Sequence, residues 1–235
     1  MTTSPVTTQW IDVPSSDGGF GAYLALPPAR RGPGLLLLQE IFGVNAHIRG
    51  VAEQYALAGF VVIAPDLFWR KGERIELGYE GDDRQRAELL MSTIQTEAVV
   101  RDMQATLATL RARPECGAKV GAIGYCMGGR LAYTAAALCG VDAAVAYYGG
   151  RIQDQLHLAA QINCPIQFHY GERDDHIPPS AVEAVRQAVL DKDAEIHVYA
   201  GAPHGFNCWA RASYDPAAAA LAHGRSLAFL AQQLF

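Results

Sequence analysis

Short apolar runs separated by amphipathic stretches alternate along most of the chain. Strands are predicted at 34–38, 60–64, 120–123, 142–148, 165–170 and 195–199, and the first three of these runs are apolar on both faces, as is typical of central parallel strands. Helical periodicity follows at 46–57, from 129 onward, at 180–191 and from 216 to the end. Strands that alternate with helices in this way predict an α/β fold, a doubly wound and mainly parallel sheet with helices on both faces.

The N-terminal region and one internal segment depart from this alternation. Residues 10–13 and 20–26 flank a Ser/Asp/Gly turn and predict an antiparallel hairpin at a sheet edge. Asp215 followed by Pro216 predicts the N-cap and first position of the last helix. Residues 66–93 show no steady period, and we expect a helix to begin near 82–83 and run into a long one that ends near 113. An insertion of this kind often covers a functional site.

Composition limits the classes of protein that the chain can belong to. With 235 residues, half of them hydrophobic, it can bury a large core, and we expect a single domain over 1–235. The net charge of −5, without a Lys/Arg cluster, favours neither nucleic acid nor an anionic membrane as a partner. The polar start MTTSPVTTQW lacks the plan of a signal peptide, and no apolar run reaches the roughly 18 residues of a membrane span, so we expect a cytoplasmic protein.

The cysteines do not follow a disulfide or zinc-binding pattern. Their number is odd, they are scattered, and no two are spaced as Cys-x-x-Cys. We therefore expect free thiols in a reducing compartment and no metal site. The five are Cys116, Cys126, Cys139, Cys164 and Cys208.

One of these thiols stands in a motif that carries chemistry. The strand at 120–123 runs into Gly124-Tyr125-Cys126-Met127-Gly128 and then into an Ala-rich helix, which is the pattern of a nucleophile elbow. The elbow needs glycine two residues before and two after the nucleophile, because neighbouring side chains would collide with the strand and helix. Gly124 and Gly128 fill these places, and Cys126 takes the place of the nucleophile.

An acid and a histidine follow Cys126 in the chain order of α/β-hydrolases. Asp174 and His204 each lie in a loop just past a predicted strand, as Cys126 does. In such a triad a thiolate attacks an acyl carbon, the imidazole moves the proton, and the carboxylate orients the imidazole. Asp175 is the alternative acid, although we favour Asp174. Backbone N–H groups would hold the oxyanion, and the best candidates are those of Met127 and Ile41.

Two further charged residues allow more than one interpretation. Glu40 follows the strand at 34–38, at the end of the sheet where α/β proteins place their sites, but it also fits a solvated loop charge. Arg86 fits either an exposed helix charge or an anion clamp. The other histidines lie in or beside predicted elements, or in the acid loop in the case of His176, and none competes with His204.

Several motifs together resemble the dienelactone hydrolase (carboxymethylenebutenolidase) family over nearly the whole chain. The resemblance implies an α/β-hydrolase monomer that opens a small lactone bearing a carboxylate, without a cofactor. It also implies that Glu40 pairs with the resting nucleophile and helps to form the thiolate, that Arg86 holds the substrate carboxylate, and that Asp174 is the acid. The motifs are Gln39-Glu40-Ile41-Phe42-Gly43-Val44-Asn45, Pro65-Asp66-Leu67, Arg84-Gln85-Arg86, Gly124-Tyr125-Cys126-Met127-Gly128-Gly129, Tyr147-Tyr148-Gly149, Asp174-x-x-Ile177-Pro178 and Gly201-x-x-His204-x-Phe206.

The chain departs from the family pattern in the substrate pocket. Cys208 stands where the family has a second substrate-binding arginine, with Arg211 a few residues further on, and Leu90 and Thr93 replace a tyrosine and a tryptophan. Dienelactone is therefore the leading substrate, and another lactone or a small ester is the alternative. Two other classes stay open: a non-catalytic binding protein with this fold, and a thiol redox sensor in which Cys126 forms a disulfide with Cys208.

Overall fold

The computed structural model describes residues 5–235, so the first four residues of the polar N-terminal stretch lie outside the described range. The strands are β1 Thr7–Val13, β2 Phe20–Leu26, β3 Gly32–Leu38, β4 Val61–Pro65, β5 Cys116–Tyr125, β6 Ala143–Tyr147, β7 Ile166–Arg173 and β8 Ala194–Pro203. The helices are α1 Ala46–Leu57, α2 Gly81–Ser92, α3 Thr96–Arg111, α4 Met127–Leu138, α5 Pro179–Ala188 and α6 Pro216–Leu234, and a 3-10 helix spans Ile152–Gln161.

The strands form an eight-stranded sheet in the order β1-β2-β4-β3-β5-β6-β7-β8. β1 pairs with β2 and β2 with β4 in the antiparallel sense, whereas β3 pairs with β4, β6 with β7 and β7 with β8 in parallel. The sequence-based expectation of an α/β-hydrolase fold with a mainly parallel sheet and an N-terminal edge hairpin is confirmed.

The described residues divide into two compact units, one containing residues 5–121 together with Phe235, and the other residues 122–234. The boundary falls inside β5, and the expected single domain over 1–235 stays a prediction. Within residues 5–235 no helix is long and apolar enough to cross a membrane.

In the first unit, side-chain bonds to the backbone order the segment that has no periodicity. The carboxylate of Asp66 accepts hydrogen bonds from the N–H of Phe68 at 3.0 Å and of Arg74 at 2.6 Å. Further along, the N–H of Leu77 donates to the carbonyl of Phe42 at 3.0 Å, which ties this segment to the loop after β3. Such contacts leave no periodic trace in a sequence, which is why residues 66–80 could not be assigned.

The expected continuous helix from 82 to 113 is wrong, because α2 and α3 are separate helices with a break at 93–95. The hydroxyl of Ser92 donates to the carbonyl of Leu89 at 2.7 Å, and that of Thr93 donates to Leu90 at 2.8 Å. Hydroxyl groups that bond to nearby carbonyls compete with the helical pattern, and two in succession favour its end.

In the second unit, α4 begins at Met127 and not at Gly129 as expected. The carbonyl of Cys126 already accepts hydrogen bonds from the N–H of Gly129 at 3.0 Å and of Arg130 at 3.3 Å, so the helix starts directly at the turn. The 3-10 helix at Ile152–Gln161 was not predicted from the sequence. Asp215 caps α6 as expected, accepting from Ala218 N–H at 3.1 Å.

Candidate active site

Cys126 occupies a strained turn between β5 and α4. Its φ of 57° and ψ of −116° lie in a region that residues with a Cβ rarely adopt, and its N–H donates to the carbonyl of Tyr147 at 3.0 Å. A Cβ at Gly124 would overlap the carbonyl of Gly128, and one at Gly129 would overlap the carbonyl of Tyr147. The glycines therefore allow the close approach of backbone segments that holds Cys126 at the tip of the turn.

The position of Cys126 also gives its sulfur a favourable electrostatic environment. It is the N-cap residue of α4, and its side chain is partly exposed. N–H groups in the first turn of a helix, such as that of Met127, have no partner within the helix, and the helix dipole favours negative charge there. Negative charge that develops beside this turn during a reaction is therefore stabilised by the start of α4.

His204 is held by Asp174 and contacts Cys126. Its Nδ1 lies 2.8 Å from Oδ2 of Asp174, and its ring is also hydrogen-bonded to the sulfur of Cys126. The other oxygen of Asp174 accepts a hydrogen bond from the backbone N–H of His176 at 2.8 Å. Asp174 is 6% exposed, whereas Asp175 points to solvent. The second unit thus brings together three of the residues that the sequence marked as catalytic.

The charges around His204 favour its protonated form. Burial lowers the pKa of the imidazole, but the negative charge of Cys126 and the hydrogen bonds that the ring donates to Asp174 and Cys126 outweigh it and raise the pKa from 6.5 to about 10. The imidazole of His204 is therefore protonated at neutral pH, between the carboxylate of Asp174 and the sulfur of Cys126. Such an arrangement has the chemistry to combine attack by sulfur with transfer of a proton to a leaving group.

Two further rings, to which the sequence assigned no role in the site, pack against His204. Tyr148, with a φ of 34°, lies edge-on to it at 5.1 Å between ring centroids, and His176 does so at 4.8 Å. The signal for Tyr148 was present in the Tyr147-Tyr148-Gly149 motif, although no role followed from it. The side chain of His176, which lies in the acid loop as the sequence predicted, is exposed.

Two arginines of the second unit lie near Cys126 and His204. Arg130 is one helical turn beyond Cys126. Its burial lowers the pKa of its guanidinium, as does Arg151, whereas the charge of Cys126 raises it. The guanidinium of Arg211 lies over Gly205, the residue next to His204, where an added Cβ would be 2.8 Å from its Cζ. Cys208 is fully buried.

The remaining candidate residues belong to the first unit. Glu40 is fully buried, and its Oε2 lies 3.9 Å from Nδ1 of His47, which is 2% exposed. A solvated loop charge is therefore the wrong interpretation of Glu40. His47 was not a candidate from the sequence, because no local pattern shows that the first turn of α1 lies against the loop after β3.

Asn45 holds the C-terminal end of the loop that carries Glu40. Asn45 accepts a hydrogen bond from Ile48 N–H at 3.2 Å as the N-cap of α1, and its amide donates to the hydroxyl of Tyr79 at 3.0 Å. Ile41, the candidate oxyanion residue, is 5% exposed. Arg86 lies on α2 with an exposed side chain, and in residues 5–235 no carboxylate lies within 4.0 Å of its guanidinium.

The comparisons with known proteins agree on one family. The family model described as the dienelactone hydrolase family matches residues 20–234. Carboxymethylenebutenolidase from Pseudomonas putida is 35% identical over 228 residues, which cover 95% of this chain and 96% of that protein. Carboxymethylenebutenolidase 1 from Cupriavidus pinatubonensis is 33% identical over 224 residues, covering 94% and 95%.

The solved structures give the same result. A crystal structure from Klebsiella pneumoniae that carries the dienelactone hydrolase name superposes with a TM-score of 0.88 and 32% sequence identity. The match covers 97% of this chain and 99% of that chain. The similarity therefore extends over the whole fold and not over one motif.

Proposed function

Since the chain belongs to the dienelactone hydrolase family and is a hydrolase of esters or lactones, we propose that it uses Cys126 as its nucleophile. The observation that carries this proposal is the position of the His204 ring, hydrogen-bonded to Cys126 on one side and 2.8 Å from Asp174 on the other. This is the geometry that nucleophilic catalysis by a thiol requires.

The reaction proceeds through a thioester. The thiolate of Cys126 attacks the acyl carbon, and the electron pair of the carbonyl moves to its oxygen, which the N–H groups of Met127 and Ile41 stabilise. When the intermediate collapses, His204 gives its proton to the leaving oxygen. In a lactone that oxygen stays tethered to the acyl group. Water then attacks the thioester while His204 takes its proton, and the hydroxy acid and thiolate are released.

The acid residues divide this work. Asp174 holds His204 in the tautomer that directs Nε2 to the sulfur, and stabilises its charged form. Glu40 has the family's place for a carboxylate that pairs with the resting nucleophile and helps to generate the thiolate when substrate binds. Its complete burial supports a specific role over a solvated one.

The substrate that we propose is a small lactone bearing a carboxylate, with dienelactone as the leading candidate and another lactone or small ester as the alternative. Arg86 would bind the carboxylate, and the absence of a carboxylate partner for it within residues 5–235 leaves its guanidinium available. Arg211, whose guanidinium lies beside the His204 loop, is a candidate to replace the second arginine that the chain lacks at Cys208.

The compartment and assembly are also proposals. All five cysteines lie in the described range and are free thiols, which supports a reducing compartment such as the cytoplasm. The family resemblance supports a monomer without cofactor.

The experiment that tests the nucleophile is hydrolysis by Cys126→Ala. A thiol-to-methyl change creates little cavity, so the variant should fold normally and lose turnover of aryl acetates, neutral lactones and carboxylated lactones alike. Cys164→Ala makes the same chemical change elsewhere and should keep full activity. Turnover by Cys126→Ala close to that of the control would contradict the proposal.

A further inference from the structure

A buried polar network lies within the second unit, away from the surface of the site. The hydroxyl groups of Tyr147 and Ser226 are 2.8 Å apart, and Ser226 Oγ lies 2.9 Å from Nε2 of His169. The same Nε2 is 2.8 Å from Oε1 of Gln167, and Nδ1 of His169 is 2.7 Å from the hydroxyl of Tyr199. Tyr147, Gln167, His169 and Ser226 are each at most 1% exposed. These four residues are called the polar network below.

The donors in the polar network form a consistent order. The amide nitrogen of Gln167 donates to Glu195 at 2.7 Å, so its Oε1 is the atom that faces the interior and can only accept. Nε2 of His169 must then carry the hydrogen, and Nδ1 accepts the hydroxyl of Tyr199. Burial, together with the charges of His197 and Arg225, lowers the pKa of His169 well below 6.5, so the ring is neutral.

Two backbone hydrogen bonds join the polar network to the catalytic residues. The carbonyl of Tyr147 accepts the N–H of Cys126 at 3.0 Å, and the carbonyl of His169 accepts the N–H of Tyr148 at 2.7 Å. The ring of Tyr147 also stacks on that of His169, with centroids 4.4 Å apart. Tyr148 in turn lies against His204. The two ends of the polar network are therefore attached to the nucleophile and to the packing surface of the base.

This arrangement is costly as a means of stabilising a core. Four polar side chains at complete burial lose their hydration, and their mutual hydrogen bonds only offset that loss. Apolar side chains of similar volume would serve the fold at least as well. The network adds precise positioning, because satisfied polar networks fix rotamers and backbone positions more narrowly than apolar packing does.

We propose that the polar network positions the catalytic pair by fixing the backbone at Tyr147 and Tyr148 so that Cys126 and His204 meet. This inference rests on the proposed function, because it assumes that the contact between these two side chains is the productive one. Tyr147, His169 and Ser226 act as positioning residues: they do not contact the substrate, and their effect reaches the reaction through Cys126 and Tyr148.

The first test compares Tyr147→Phe, Ser226→Ala and the double variant with wild type. Each single change removes one hydroxyl and leaves the ring or backbone in place. We expect kcat for an aryl acetate to fall on the order of tenfold while KM changes less than twofold, because small misplacements of reacting groups cost rate and not binding. The double variant should lose about as much as either single one, since both act through one contact.

Tyr133→Phe is the matched control, because it removes a hydroxyl that bonds to the carbonyl of Gln155 at 3.2 Å, outside the polar network. If the hydroxyls serve stability alone, Tyr147→Phe and Tyr133→Phe should lower Tm similarly and both leave kcat within twofold of wild type. That result would overturn the proposal. A tenfold loss of kcat in Tyr147→Phe alone, at a temperature where both variants are folded, supports it.

A second measurement does not depend on turnover. Iodoacetamide alkylates thiolates, and peptide mass spectrometry resolves Cys126 from the other thiols. Loss of the fixed contact with His204 should slow alkylation of Cys126 at pH 7 at least fivefold in Tyr147→Phe, with Cys116 in the same sample unchanged. An unchanged rate at Cys126 would overturn the proposal. If the proposed hydrolysis were wrong, turnover would survive in Cys126→Ala, yet this alkylation difference would still be measurable, so the two failures are distinguishable.

Discussion

Replacing Asp174 by asparagine, with Asp175→Asn as its control, separates the acid of the triad from its neighbour. Oδ2 of Asp174 lies 2.8 Å from Nδ1 of His204, and Oδ1 accepts the N–H of His176 at 2.8 Å. An amide can keep the second of these bonds by directing its oxygen to the backbone. Its NH₂ group then faces Nδ1, which must become an acceptor, so the ring carries its hydrogen on Nε2 and cannot take a proton there.

The size of this effect follows from the role of Asp174 in fixing the tautomer of His204. The wrong tautomer in a serine protease triad costs about 10⁴ in kcat, and a thiol nucleophile faces the same requirement. We therefore expect a loss of about 10³ to 10⁴, which corresponds to roughly 4 to 5.5 kcal/mol in the barrier. Asp175 is exposed and should cost less than about twofold when changed to asparagine.

The assay is steady-state hydrolysis of an aryl acetate from pH 6 to 9, with thermal unfolding to show that both variants fold. The loss in Asp174→Asn should persist across this range, because deprotonation of His204 does not restore the tautomer. Equal activities of the two variants, or a larger loss at Asp175, would refute the assignment of Asp174 to the triad.

Three further predictions concern the elbow, the charge of the site and the substrate. Gly124→Ala should abolish activity and lower the free energy of unfolding by about 2 to 4 kcal/mol, because the added Cβ would overlap backbone atoms. The control Gly224→Ala lies on the exposed face of α6, where the added Cβ meets nothing within 4 Å, and should raise that free energy by up to about 1 kcal/mol. Urea unfolding measures both. Because the pKa of His204 is raised, its protonation stabilises the folded state in full below pH 6.5, and this stabilisation is lost as the pH rises through about 10. Between pH 7 and 10.5 the free energy of unfolding should therefore fall more in wild type than in His204→Gln, by roughly 1.4 kcal/mol for each unit by which the pKa is raised. An equal alkaline loss would contradict this. Arg86→Ala should raise KM for acidic esters by about tenfold to a hundredfold and so remove the preference for acidic over neutral esters. The control Arg84→Ala breaks only an ion pair with a glutamate on α2 and should keep that preference. An unchanged ratio of acidic to neutral turnover in Arg86→Ala would mean that Arg86 is only a charge on the helix surface.

The sequence predicted the strands and most helices because apolar runs and caps are local signals. The elbow formed by Gly124, Cys126 and Gly128 could be predicted because it too is a local signal: the steric limits of the turn require that spacing. The end of α2 at Ser92 was missed, because serine and threonine hydroxyls stop a helix without the Gly or Pro that marks a break.

Long-range contacts explain the other differences. Glu40 and His47 are close in sequence, yet only the fold shows both to be buried and 3.9 Å apart. Tyr148 lies in a motif that resembles the family, but its contact with His204 depends on the loop after β8. Nor does any local pattern distinguish the side chains of the polar network, such as Ser226 in the middle of an Ala-rich helix, from ordinary core positions.

The most direct test of the central claim is to trap the acyl group on the enzyme. Wild-type protein is mixed with an aryl acetate, quenched in acid within the first turnover, and digested for peptide mass spectrometry. The thioester mechanism predicts one acetyl group on the peptide that contains Cys126, appearing with the burst of phenol and disappearing as the substrate is exhausted. A burst of phenol with no acetyl group on Cys126, or with acetyl on another side chain that turns over at the same rate, would contradict the assignment of Cys126 as the nucleophile.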